Sequence, residues 1–163
     1  MLHDESLGDL LSRFPHEGRV EWIGLRPERR AVPVVVDQVE VGISGLIGDH
    51  YSSRSGQRAV TLIQAEHLVA IASLTGHKQI DPALLRRNIV VRGINLVALK
   101  GHRFRIGSAV LEGTNPCDPC SRMEENLGAG GLNAMRGHGG LNARVIEPGI
   151  IRIGDAIVAL ERA

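Results

Sequence analysis

The chain has 163 residues and a mass of 17.6 kDa, the size of one ordinary domain. Apolar residues make up 43% and charged residues 23%, so a core can form and wholesale disorder is excluded. A net charge of +1 excludes a strongly basic nucleic-acid domain and an acidic tail protein, and the aromatics Phe14, Trp22, Tyr51 and Phe104 are too few to stack bases.

No apolar run approaches the ~18 residues that a membrane helix needs. Asp4, Glu5, Asp9 and Arg13 interrupt the opening segment, so a signal peptide is not expected. The expectation is a soluble cytoplasmic protein without a membrane or nucleic-acid partner. In that reducing setting the C-x-x-C pair Cys117 and Cys120 reads as reactive or metal-binding rather than as a structural disulfide.

Residues 3–14 read as a short helix, with Leu7, Leu10, Leu11 and Phe14 on one face and Pro15 as its stop. Residues 1–18 are expected to form a helical appendage to a domain spanning 19–163. Strands are expected at 20–25, at 31–36 with Pro33 marking an edge, at 39–43 and at 59–63. A glycine-bearing loop over 44–57 lies between the last two. A helix over 64–74 carries Ala65, Leu68, Val69 and Ala72 on one face, with Gly76 placed to end it. Asp81 and Pro82 open a short helix as cap and first residue, and strand returns at 88–91.

Residues 104–111 echo residues 151–158. Each reads strand, Gly-Ser or Gly-Asp turn, strand, and each suits a tight hairpin. Many short strands at close spacing favour a mainly β chain with a few helices, an α+β barrel or sandwich, over a doubly wound fold.

Chemistry concentrates in four places. Cys117 and Cys120 each follow a proline just after a strand, in a stiff loop before a helical stretch at 121–127. A thiol there, near a helix start and near Arg122, suits a nucleophile, a persulfide carrier or a soft-metal ligand. Buried inert thiols, a zinc site completed by histidines and a redox dithiol remain open beside it. Arg86, Arg87 and Asn88 lie at a helix-to-strand junction. Strand alternation would put Arg86 and Asn88 on one side, ready for an anion, and a solvated helix end is the alternative. Asp49 and His50 follow two glycines, with Gln57 and Arg58 after them, either around a ligand or in a solvated turn. The glycine-rich stretch 128–140, with His138, reads equally as a lid or as a connector.

In order, these clusters resemble the MOSC domain, named for the C-terminal domain of molybdenum-cofactor sulfurases. The matching stretches are G-L-I-G-D-H (45–50), R-A-V-T-L-I-Q-A-E-H-L (58–68), L-R-R-N-I-V-V-R-G (85–93), L-x-x-L-x-G-x-x-F-x-I-G (96–107), P-C-D-P-C-S-R-M-E (116–124) and the closing 140–155. The resemblance runs from about Arg19 to the C-terminus, and it looks like the small stand-alone bacterial branch.

It implies a barrel-like β fold and the molybdenum cofactor (molybdopterin). By motif the molybdenum ligand or sulfur carrier maps to Cys120, with Cys117 as an extra thiol that relays sulfur or guards the site. Arg86 and Asn88 map to the pterin phosphate, and Asp49 and His50 to the G-D loop. The family often has Arg where this chain has His50, a weaker anion anchor. Arg58 and Arg122 complete the candidate cofactor-binding set. The implied activity is a molybdenum-dependent reductase of N-hydroxylated compounds. Nothing in the chain resembles a flavin, haem or iron–sulfur site, so a separate redox partner would supply its electrons. The alternative is a non-redox carrier that takes a persulfide from a sulfur donor such as a cysteine desulfurase.

Overall fold

A computed structural model describes residues 4–51 and 55–163. The expected helix start at residue 3 and the middle of the 44–57 loop lie outside the described residues.

The chain enters through α1 (Leu7–Leu11), whose Ser6 cap and Asp9 carboxylate satisfy each other's backbone N–H. The helix is shorter than its apolar spacing implies. Leu7 and Leu11 remain 71% and 65% exposed, and only Phe14, beyond the helix, packs against the core. The strands are β1 (Gly18–Leu25), β2 (Val34–Val36), β3 (Gln38–Gly42), β4 (Gly45–Leu46), β5 (Val60–Gln64), β6 (Ile89–Arg92), β7 (His102–Ile106), β8 (Ala109–Pro116), β9 (Leu141–Glu147), β10 (Gly149–Arg152) and β11 (Ala156–Arg162). Three further helices, α2 (Ala65–Thr75), α3 (Ser121–Leu127) and α4 (Gly131–Met135), pack outside them.

Hydrogen bonding runs β11-β7-β8-β9-β5-β6-β1 and closes where Gly18 and Arg19 of β1 meet Ile157 and Ala156 of β11. The result is a mainly β molecule built on a closed seven-stranded barrel. Closure removes the sheet edges that would otherwise need protection. β2 adds to the far half of β1 as an outer edge strand, as Pro33 implied. β5 and β6 are parallel and are joined through α2.

Alternation along β5 and β6 sorts two cores. Val60, Leu62, Ile89 and Val91 point into the barrel with Phe104, while Ile63 and Val90 point outward beneath α2, α3 and α4. Gly76 ends α2 in the left-handed conformation, as its position predicted. On α2, Ile71 is fully buried and Val69 is 68% exposed, so the buried face is rotated from the expected one.

The echo between 104–111 and 151–158 resolves differently in its two copies. β7 and β8 form the expected hairpin around Gly107 and Ser108. β10 and β11 do not pair. β10 joins β3 and β4 in a separate three-stranded sheet, while β11 enters the barrel. The Gly154–Asp155 turn is docked on β1: Gly154 N–H donates to Val20 O, and Val20 N–H donates to Asp155 O. Those bonds carry the chain from one sheet to the other.

Candidate active site

The site lies where β8 runs out of the barrel. β8 extends to Pro116, with a register break between Gly113 and Pro116. Such a break bends the strand and re-aims the chain beyond it. Cys117 comes next, anchored by its N–H to Gly140 O at 2.8 Å. Pro119 then leads to Cys120, the residue that caps α3. Cys120 is exposed and Cys117 is half-buried. Burial pushes the Cys117 thiol above its ordinary value, against the pull of Arg87, Arg58 and Arg26. Cys120 is therefore the accessible sulfur of the pair.

Cys120 borders a cleft of about 230 Å³ lined by Arg26, Arg30, Arg86, Arg87 and Arg122, with Glu125 as the acid on its wall. Arg26 is paired with Asp49 and Arg30 with Glu125. Among the described residues, Arg86, Arg87 and Arg122 have no carboxylate partner. Burial first, then the neighbouring charges of Arg26 and Arg122, press the Arg86 guanidinium below its ordinary value. The cleft thus concentrates positive charge around an exposed thiol, in a chain whose net charge is only +1.

Backbone strain marks the same place. Among the described residues, the only non-glycine residues with positive φ are Arg30 (67°) and Arg86 (57°), and both line the cleft. A left-handed residue with a Cβ costs about 1–2 kcal/mol, a cost that persists where surrounding contacts enforce it. Arg86 makes one such contact: its Nη1 donates to Ala31 O at 2.7 Å, tying the two strained segments together.

The left-handed turn at Arg86 overrides the alternation expected from the sequence. The segment Pro82–Leu85 is a 3₁₀ turn, capped by Asp81 as predicted, and Arg86 ends it. Arg86 and Asn88 consequently do not share a side. Arg86 enters the cleft, whereas Asn88 is fully buried with its amide consumed. Its Oδ1 accepts from Thr61 N–H at 3.2 Å, Thr61 Oγ1 at 3.1 Å and Arg26 Nη2 at 3.4 Å. Its Nδ2 donates to Gly24 O at 3.2 Å and Asp49 Oδ1 at 3.3 Å. Asn88 acts here as a buttress for the Arg26–Asp49 pair.

Asp49 accepts from Arg26 three times: from the backbone N–H at 2.7 Å, from Nε at 3.1 Å and from Nη2 at 2.8 Å. Burial favours the neutral acid, but the Arg26 hydrogen bonds and charge win, holding the carboxyl below its ordinary value. His50 is exposed and is not part of the cleft lining. Its Nδ1 lies 2.8 Å from the Arg26 carbonyl and, as the N–H donor, steadies that residue's backbone. Arg58 is exposed, and its charge reaches Cys117. Arg122 lines the cleft beside Cys120.

Sequence reasoning missed Arg26, Arg30 and the part played by Arg87. The signal available was the run L-R-P-E-R-R directly after a strand, but only the fold brings it opposite residues 86–88. The stretch 128–140 is built rather than open. It contains α4, and the Glu124 carboxylate accepts from Gly130 N–H at 2.7 Å and Leu132 N–H at 3.0 Å.

No helix among the described residues is long and apolar enough to cross a membrane. Comparison with curated proteins gives no significant match. Several solved structures are similar in fold, among them the following three. The crystal structure of the YuaD protein from Bacillus subtilis has a TM-score of 0.76 and 20% identity, over 89% of this chain and 97% of that one. The crystal structure of YiiM from Escherichia coli has a TM-score of 0.69 and 21% identity, over 89% of this chain and 71% of that one. The crystal structure of YiiM from Geobacillus stearothermophilus has a TM-score of 0.74 and 19% identity, over 88% of this chain and 75% of that one. The MOSC domain family model matches residues 37–158, from β3 into β11 and across the whole cysteine loop, and the chain belongs to that family.

Proposed function

We propose that the chain binds the molybdenum cofactor through Cys120 and serves as the cofactor-holding part of a reductase acting on N-hydroxylated compounds. The observation that carries this reading is the exposed Cys120 thiol beside three guanidinium groups that lack carboxylate partners among the described residues.

The residues fit the group by the chemistry of their donors. A thiolate is a soft ligand suited to molybdenum. The site offers one accessible protein sulfur, which suits a metal that arrives with a dithiolene of its own. Guanidinium forks match phosphate oxygens. Cys120 would ligate the metal, and Arg86 and Arg122 would take the phosphate end. When bound, the cofactor supplies the oxygen-atom and electron chemistry.

The chain's own residues bind and orient. The exposed Cys120 sulfur sits at the rim of the positive cleft, where an anionic ligand would meet it. Asp49 and Asn88 hold Arg26 rigid, and Arg26 Nη1 donates to Arg86 O at 3.1 Å, which helps fix Arg86 in its strained turn. In the net reaction, R–NHOH with two electrons and two protons gives R–NH2 and water. The electrons must come from a donor, so a separate redox partner protein belongs to the proposal.

Metal analysis of the full chain, purified from molybdenum-replete cells, tests this. Near-stoichiometric molybdenum is expected, lost in Cys120→Ala and kept in Cys117→Ala. Protein without molybdenum overturns the reading.

A second reading is favoured by Cys117, a further thiol on the same loop. In it the chain is a non-redox sulfur carrier. The Cys120 thiolate attacks the outer sulfur of a donor persulfide, such as that of a cysteine desulfurase, and becomes the new persulfide as the donor thiolate leaves. Cyanide-releasable sulfur on Cys120 in protein lacking molybdenum would select this reading.

A further inference from the structure

Arg87 is nearly withdrawn from solvent, 7% exposed, yet meets no carboxylate among the described residues. Its guanidinium is divided among main-chain carbonyls. Nε donates to Gly139 O at 2.8 Å, Nη1 to Leu85 O at 3.1 Å, and Nη2 to Cys117 O at 3.0 Å with a longer contact to Asp118 O at 3.5 Å. A buried cation is a costly tie where stability alone is wanted, since apolar packing often serves as well. A cage of carbonyls keeps the charge formally unneutralised, at the wall of the cleft that Cys120 also lines.

The contact surface is fitted around this fork. A Cβ on Gly139 would collide with the Cys117 carbonyl, so the two loops approach as closely as they do only because residue 139 is glycine. Cys117 is then held at both ends of its own backbone, by its N–H to Gly140 O and by its carbonyl to Arg87. With Cys117 and the Asp118 carbonyl tied and Pro119 rigid, Cys120 is the thiol of the loop that remains exposed.

We propose that Arg87 is a positioning residue. It clamps the cysteine loop to the glycine-rich segment, so that Cys120 is presented to the ligand while Cys117 is shielded, and it holds a fixed positive charge beside them. This rests on the reading that Cys120 is the working thiol.

Two variants of the full chain, Arg87→Met and Arg87→Lys, test the clamp. Each is alkylated with iodoacetamide under native conditions, the rate at each cysteine is read by peptide mass analysis, and the folded fraction is followed by circular dichroism. In the wild type Cys120 is expected to react well ahead of Cys117. Arg87→Met lowers that selectivity about tenfold, the effect expected from losing one charge-assisted hydrogen bond. Arg87→Lys, which keeps the charge but not the fork, recovers part of it. Simple destabilisation would raise the Cys117 rate in step with the unfolded fraction, whereas release of the clamp raises it in protein that stays folded. Molybdenum content should fall in Arg87→Met while Cys120 stays alkylatable. Selectivity within about twofold of wild type in folded Arg87→Met overturns the proposal. If that variant does not fold, unchanged selectivity in Arg87→Lys overturns it. A wild-type protein without molybdenum would sink the functional reading and leave the alkylation result to decide the clamp.

Discussion

Asp49 stays ionised where burial argues against it, because Arg26 surrounds its carboxylate with three donors. The side chains are nearly closed off, 12% exposed for Arg26 and 1% for Asp49, so little water screens the pair. A carboxyl whose folded value lies below its unfolded one contributes stability that is full above about pH 4 and is lost as pH falls through the lower folded value. Asp49→Asn should therefore cost about 3 kcal/mol at neutral pH, since it leaves a buried guanidinium without its counter-charge. The difference from wild type should shrink in urea titrations carried below about pH 4, and a gap that persisted there would refute the assignment. Asn88 belongs to the same unit. Motif position made it a ligand candidate, but its filled hydrogen-bond inventory makes it a support.

Between elements, the contact of α2 with the segment after α4 makes His67 sensitive to pH. His67 and His138 meet edge to face with ring centroids 5.1 Å apart. Burial, then the His138 charge, lowers His67, with Glu66 opposing. A histidine depressed in the folded state resists protonation, so stability should decline as pH falls through about 6.5, where the unfolded chain takes up the proton. Melting temperatures between about pH 7.5 and pH 5.5 should fall more steeply for wild type than for His67→Gln; parallel slopes would refute this. The Gly139 contact makes a second prediction at this scale. Gly139→Ala must push the Cys117 carbonyl off Arg87, and it should lower the melting temperature and speed Cys117 alkylation together. Element identity was mostly readable in the sequence. The stop of α2 at Gly76, the Asp81–Pro82 turn and the β7–β8 hairpin rest on local backbone chemistry, and local chemistry is written in neighbouring residues. The β10–β11 turn uses the same chemistry without making a hairpin, because its pairing is decided by Val20 on a distant strand.

For the whole molecule, the closed barrel and the core beneath the helices account for the buried apolar residues, and α1 stands apart from both. Removing residues 1–12 deletes exposed leucines and an exposed Arg13–Glu5 pairing, so unfolding free energy should move by no more than about 0.5 kcal/mol. Phe14 packs against the barrel core and edge-on against His102, so Phe14→Ala should cost about 1–2 kcal/mol. Chemical denaturation of both would show whether the boundary of the stable unit falls between them. A truncation as costly as the Phe14 change would mean that α1 is part of that unit.

Strand character, turn positions and the stiff P-C-D-P-C loop follow from the order of residues alone, because alternation, proline and glycine act within a few bonds. A mainly β barrel or sandwich was readable for the same reason, since many short strands leave few other ways to bury Val, Ile and Leu, and the choice of a barrel came from the family resemblance. Which strands pair, and what faces Cys120, required the fold. Closing β1 onto β11 and β6 brings the end of β1, and with it Arg26, to residues 86–88 across some sixty positions of chain. The left-handed turn at Arg86 then reverses the sides that alternation assigns. Both outcomes depend on tertiary contacts enforcing a backbone and a pairing that no local preference selects.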